Sequence, residues 1–211
     1  LCMAGALAYV LVAGNRTPEI RNIILVSIDT CRADYLSCYG YPQETTPNID
    51  AVAKGATRFE KVITPVPITL PAHSSMLTGL LPPSHGVHYN HAQLANSNLT
   101  LPEILKQKGF HTAAIISSFV LYEQFGLSQG FDTYDDAFKN EHDDKIGQER
   151  KGDETTQLAL DWLDQNKDEK SFLFLHYYDP HLDYEPPEPF ASQFPDSPYA
   201  GEIAFTDHCI G

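Results

Sequence analysis

Two hydrophobic rhythms alternate along the chain. Residues 22–28, NIILVSI, are a continuous apolar and β-branched run, the pattern of a strand buried on both faces of a parallel sheet. HTAAIISS (111–118) and SFLFLHYYD (171–179) repeat that pattern, and TRFEKVIT (57–64) alternates as a half-buried strand does. Between these runs the period lengthens. TPNIDAVAKG (46–55) carries helix start and stop signals, TLPEILKQKGF (100–110) reads as a short helix stopped by Gly109, and DETTQLALDWLDQN (153–166) as an amphipathic helix with Leu158, Leu160, Trp162 and Leu163 on its apolar side. Residues 136–152 are polar and read as a surface loop. The order of elements predicts an α/β sandwich with a mainly parallel central sheet flanked by helices.

The stretch VPITLPAHSSMLTG (66–79) places unusual chemistry at a junction. Pro65, Pro67 and Pro71 impose an extended approach, and a helix-compatible run then ends at Gly79. Thr69 stands where an N-cap belongs. A capping hydroxyl and a nucleophilic one are compatible there, because a helix N-terminus favours both an alkoxide and an anionic ester. In open α/β sheets such chemistry gathers at the carboxyl ends of strands. Asp29 ends the first strand, either as a hard oxygen ligand for a divalent cation or as the cap of the following helix. His181 lies in DPHLDYEPP, the proline-bounded loop after the last strand.

Composition narrows the classes. The 211 residues hold 28 Asp plus Glu against 14 Lys plus Arg, a formal charge of −14, which argues against a nucleic-acid partner. An anionic substrate would need local cations instead. The opening run LCMAGALAYVLVAG (1–14) reads as the remnant of a signal peptide or as a membrane anchor, so the chain is expected to be exported: periplasmic, extracellular or membrane-anchored. Cys2, Cys31, Cys38 and Cys209 form no CxxC pair or zinc spacing and read as free thiols. No P-loop, HExxH or GxSxG occurs.

Four blocks, in order, carry a resemblance. NIILVSIDTCRADYLSCYGYPQETTPNIDAVAKGATRFEKV, TLPAHSSMLTGLLPPSHGV, FLHYYDPHLDYEPP and YAGEIAFTDHCIG together resemble the N-terminal part of the sulfatase family, within the alkaline phosphatase superfamily. The resemblance implies a catalytic domain over 20–211, C-terminally incomplete, acting on small-molecule or glycan sulfate or phosphate esters. It implies a divalent ion, calcium first, with zinc or manganese as the other candidates. Asp29 takes the place of the first metal carboxylate, Thr30 that of a second, and Thr69 that of the nucleophile beside the metal. His73 replaces the signature arginine, and His181 matches a histidine that contacts the ester. Thr69, a secondary alcohol, cannot become the formylglycine of the well-known sulfatases, so direct attack by its hydroxyl is expected. Asp207-His208 lacks the Gly of the family's second metal block and reads as structural. A phosphoryl transferase or phosphodiesterase of the superfamily, and a non-catalytic glycan- or envelope-polymer-binding relative, are the alternatives.

Overall fold

The computed structural model describes residues 19–137 and 149–211. The run 1–14 and Cys2 lie outside the described residues. Four strands, β1 (Asn22–Ile28), β2 (His111–Ile115), β3 (Thr133–Asp135) and β4 (Ser171–Tyr177), form one sheet in the order β1-β4-β2-β3, with every pair parallel. Among the described residues seven helices surround it: α1 (Pro47–Gly55), α2 (Thr69–Thr78), α3 (Pro82–His85), α4 (Leu101–Gln107), α5 (Gly152–Gln165), α6 (Phe190–Gln193) and α7 (Pro198–Ile210).

β4 is the hub, buried at every position because it has strands on both sides and helices on both faces. Its side chains alternate between two cores. Phe172 and Phe174 join Leu70 and Leu77 of α2 and Leu105 of α4 on one face. Leu173, Leu175 and Tyr177 meet Ala159 of α5 and Phe205 and Cys209 of α7 on the other. Each such fully buried apolar side chain contributes roughly 1.5–3 kcal/mol. α2 and α4, between β1 and β2, therefore cover one face, while α5, between β3 and β4, and α7 cover the other. That reversal places the sheet's switch point at the carboxyl ends of β1 and β4, where Asp29 N–H continues the ladder to the Tyr177 carbonyl at 2.9 Å.

Several expectations change. β1 is buried on one face rather than two: Ile23 and Leu25 pack on the first core, while Ile24 and Val26 face solvent because β1 is an edge strand with no helix over its other face among the described residues. TRFEKVIT is not a strand. No strand pairs with it among the described residues, and Phe59, Val62 and Ile63 are exposed. Leu160 is also exposed, although Leu158, Trp162 and Leu163 pack on the second core. Residues 138–148 lie outside the described residues, and the rest of the expected surface loop contains a wholly buried side chain. Arg150 pairs with Asp135 at 2.5 Å and donates to the Ile116 carbonyl at 2.9 Å. Cys31, Cys38 and Cys209 are free thiols, with Cys209 buried and the other two half-buried. No helix of the described residues is long and apolar enough to cross a membrane.

Candidate active site

α2 begins one residue earlier than a cap at Thr69 requires. Ile68 is the N-cap, in extended conformation, and Thr69 is the first helical residue. The capping work is done from a distance: Asn90 Oδ1 accepts the Leu70 N–H at 3.0 Å. That leaves the Thr69 hydroxyl for another partner. It donates to Asp29 Oδ2 at 3.3 Å, at the positive end of a ten-residue helix. Asp29 caps no helix; the 3-10 turn after it, Ala33–Tyr35, has Arg32 as its N-cap. Asp29 and Thr69 therefore meet, as the sequence implied, at the carboxyl edge of the sheet.

Three histidines flank the pair. His73 follows Thr69 by one helical turn and is buried, its Nδ1 2.7 Å from the Thr69 carbonyl and its Nε2 2.9 Å from Ser27 Oγ. Burial, and then the neighbouring His176, push His73 down to about 4, so at neutral pH it is an uncharged imidazole. It therefore brings no positive charge to this end of α2. His176, on β4, is wholly buried, with Nε2 3.5 Å from Asp29 Oδ2 and its ring edge-on to His73 at 5.0 Å. His181 is half-buried in the loop after β4, its ring stacked on Tyr178 at 4.4 Å. Burial alone would raise the Asp29 carboxyl, but His176, His73 and His181 outweigh it and hold the group below its ordinary value. Asp29 is thus a carboxylate at neutral pH, ready to accept a hydroxyl proton's bond.

Thr30 has a different part. Its hydroxyl donates to the Pro180 carbonyl at 2.6 Å, and its own carbonyl accepts from Tyr199 at 2.7 Å. This ties the end of β1 to the loop that carries His181. Thr30 does so in the left-handed region, φ 52°, a strained conformation for a β-branched residue. Asp207 serves structure, as expected: its carboxylate accepts the Asn48 and Ile49 N–H groups at the start of α1.

Sequence reasoning missed His176 and Asn90. The one signal for His176 was a polar residue within the otherwise apolar SFLFLHYY; for Asn90, twenty residues from its partner, there was none. As a metal centre the set is partial. Among the described residues, no three His, Cys, Asp or Glu side chains are grouped to hold an ion. Asp29 and Thr69 alone do not fit a divalent cation that takes six or more oxygens.

Comparisons with known proteins identify the family and the fold. The sulfatase family model matches residues 21–211. Arylsulfatase A of Homo sapiens is 33% identical over 113 residues, which cover 51% of this chain and 22% of the human protein. The structure of BT4656 in complex with its substrate, D-glucosamine-2-N,6-O-disulfate, superposes with a TM-score of 0.71 at 24% identity, covering 85% of this chain and 38% of that one. Ps i-CgsB in complex with k-i-k-neocarrahexaose superposes with a TM-score of 0.78 at 21% identity, covering 92% and 54%. The chain thus spans between about a fifth and about half of the length of these relatives.

Proposed function

This chain belongs to the sulfatase family, and on that premise we propose that it carries the nucleophile of a hydrolase acting on sulfate esters, with Thr69 as the attacking group. One observation supports the reading above the others. Thr69 is relieved of capping by Asn90, yet its hydroxyl is held on a carboxylate at an open sheet edge. Asp29 accepts the hydroxyl's hydrogen bond and so aims an oxygen lone pair outward. Thr69 Oγ then bonds to sulfur while the ester S–O bond breaks; the hydroxyl proton passes to Asp29, and the alkoxide departs and takes a proton from solvent. Water attacks sulfur in turn, the S–Oγ bond breaks, sulfate leaves with the water's protons lost to solvent, and Oγ takes its proton back from Asp29. The α2 N-terminus favours the negative charge that gathers on the sulfo oxygens. His181, at the mouth, contacts the ester.

A divalent ion, calcium on the resemblance, with zinc or manganese behind it, would supply further charge stabilisation in a whole site. It would need donors beyond Asp29 and Thr69. The substrate class we propose is a glycan sulfate, supported by the sulfated glucosamine in one structural neighbour and the carrahexaose in another. Export follows from the apolar run 1–14 and is part of the same proposal.

A phosphoryl transferase or phosphodiesterase is the second reading, favoured by a secondary alcohol at the nucleophile position and a neutral His73 where the maturation signal has arginine. A panel of chromogenic sulfate and phosphate esters, assayed with the whole protein, decides between them. Turnover of sulfate esters alone is the expected result, and turnover of phosphate esters alone would reverse the assignment.

A further inference from the structure

The β4 strand carries apolar residues at Phe172, Leu173, Phe174 and Leu175 and then turns polar at His176, which is no less buried. Neither ring nitrogen of His176 has a hydrogen-bond partner among the described residues. A buried polar group without a partner destabilises the fold, and an apolar side chain of similar size would avoid that cost. Packing therefore does not account for a histidine here.

The ring's surroundings do. Nε2 lies 3.5 Å from Asp29 Oδ2, the same oxygen that receives the Thr69 hydroxyl. At that separation the contact is electrostatic rather than a completed hydrogen bond. Beside it stands His73, edge-on at 5.0 Å, with its own nitrogens taken by Ser27 and the Thr69 carbonyl. The parallel register sets Ser27 opposite His176, two residues before Asp29. Both neighbouring elements, β1 and α2, thus aim the Asp29 carboxylate and the ring at each other. We propose that His176 is a positioning residue for the attack by Thr69: through Nε2 it fixes the Asp29 carboxylate in the orientation that receives the Thr69 hydroxyl. The role rests on Thr69 as nucleophile.

The test uses the whole protein and three variants. His176→Phe, which removes both unpaired nitrogens, is expected to keep or raise the melting temperature, to lower kcat on a chromogenic sulfate ester about 10- to 100-fold, and to leave KM within about twofold. His176→Gln carries an amide nitrogen as far as Nε2 and is expected to restore most of the rate; His176→Asn, which reaches only to the Nδ1 position, is not. Wild-type turnover in the Phe variant overturns the proposal. If that variant does not fold, equal rates in the Gln and Asn variants do so. A second readout needs no turnover: the 13C resonance of the Asp29 carboxyl is expected to move in His176→Phe and to return towards its wild-type position in His176→Gln. An unmoved resonance overturns the role of His176. Absence of sulfate-ester turnover in the wild type, by contrast, bears on the nucleophile reading alone.

Discussion

His73 Nδ1 lies 2.7 Å from the carbonyl oxygen of Thr69, one helical turn back along α2. The ring thus acts on the backbone that carries Thr69, and does so as a neutral group. Placing there the arginine that the family resemblance implies is expected to fail. His73→Arg would put a fixed cation into a buried site beside His176, and it should lower stability by on the order of 3 kcal/mol or more without raising turnover. Thermal melts and ester assays of the whole protein check this; an Arg variant that is both stable and faster would contradict it.

Asp29 makes no helix cap and Asn has its shape, so Asp29→Asn is expected to keep the fold and lose only the carboxylate's attraction to the neighbouring histidines. Asp29→Asn should change the melting temperature little and abolish turnover. Calcium, zinc or manganese titrated into the 211-residue chain should bind no more tightly than about 10⁻⁴ M, since the described donors do not complete a site. Calorimetry checks the second statement, and tight stoichiometric uptake would refute it.

Glu202 gives a pH signature. It is buried on α7, accepts the Glu185 N–H at 2.8 Å, and is pushed up to about 7 by burial. The Glu185 N–H and Lys151 pull it down, while Asp179 and Glu149 push it further up. Between its ordinary value and 7 the folded chain holds a proton there that the unfolded chain has released. Stability from this group is therefore greatest at low pH and is lost as pH rises through about 7. Glu202→Gln mimics the protonated form. Its melting temperature should exceed the wild type's at about pH 8 and match it at about pH 5, as scanning calorimetry would show.

Arg150 is the buried cation that fastens β3 to the rest of the sheet through Asp135 and the Ile116 carbonyl. Arg150→Ala takes the cation from the Ile116 carbonyl and from an Asp135 carboxylate that keeps solvent and the Ala137 N–H, and is expected to cost about 1–3 kcal/mol. Urea denaturation measures it; a loss below about 1 kcal/mol would show the pair to be dispensable.

Much of the architecture was legible because β4 and the helices α1, α2, α4 and α5 keep the periods of their elements, and Gly55, Gly79 and Gly109 mark where α1, α2 and α4 stop. The rest depends on partners that local pattern does not specify. TRFEKVIT alternates like a strand, but alternation makes a strand only where a neighbour supplies hydrogen bonds. Arg150 sits in a charged stretch and reads as solvated, yet tertiary contacts bury it. At the candidate site, Asp29, Thr69 and His181 stood out by their places after strands and before a helix, but it was the family resemblance that proposed their roles. Asn90 was not, since a cap supplied from another loop leaves no trace at the helix it caps. His176 was visible only as one polar letter in an apolar run.

Thr69 is the centre of the account, and its hydroxyl can be altered without touching the cap, which Asn90 provides. The direct measurement is kcat/KM of Thr69→Ala and Thr69→Ser in the whole protein on a chromogenic sulfate ester. A nucleophile predicts a loss of on the order of a thousandfold or more for Ala, with measurable activity retained by Ser. Full activity of Thr69→Ala would contradict the account and leave Thr69 as no more than the first residue of a helix.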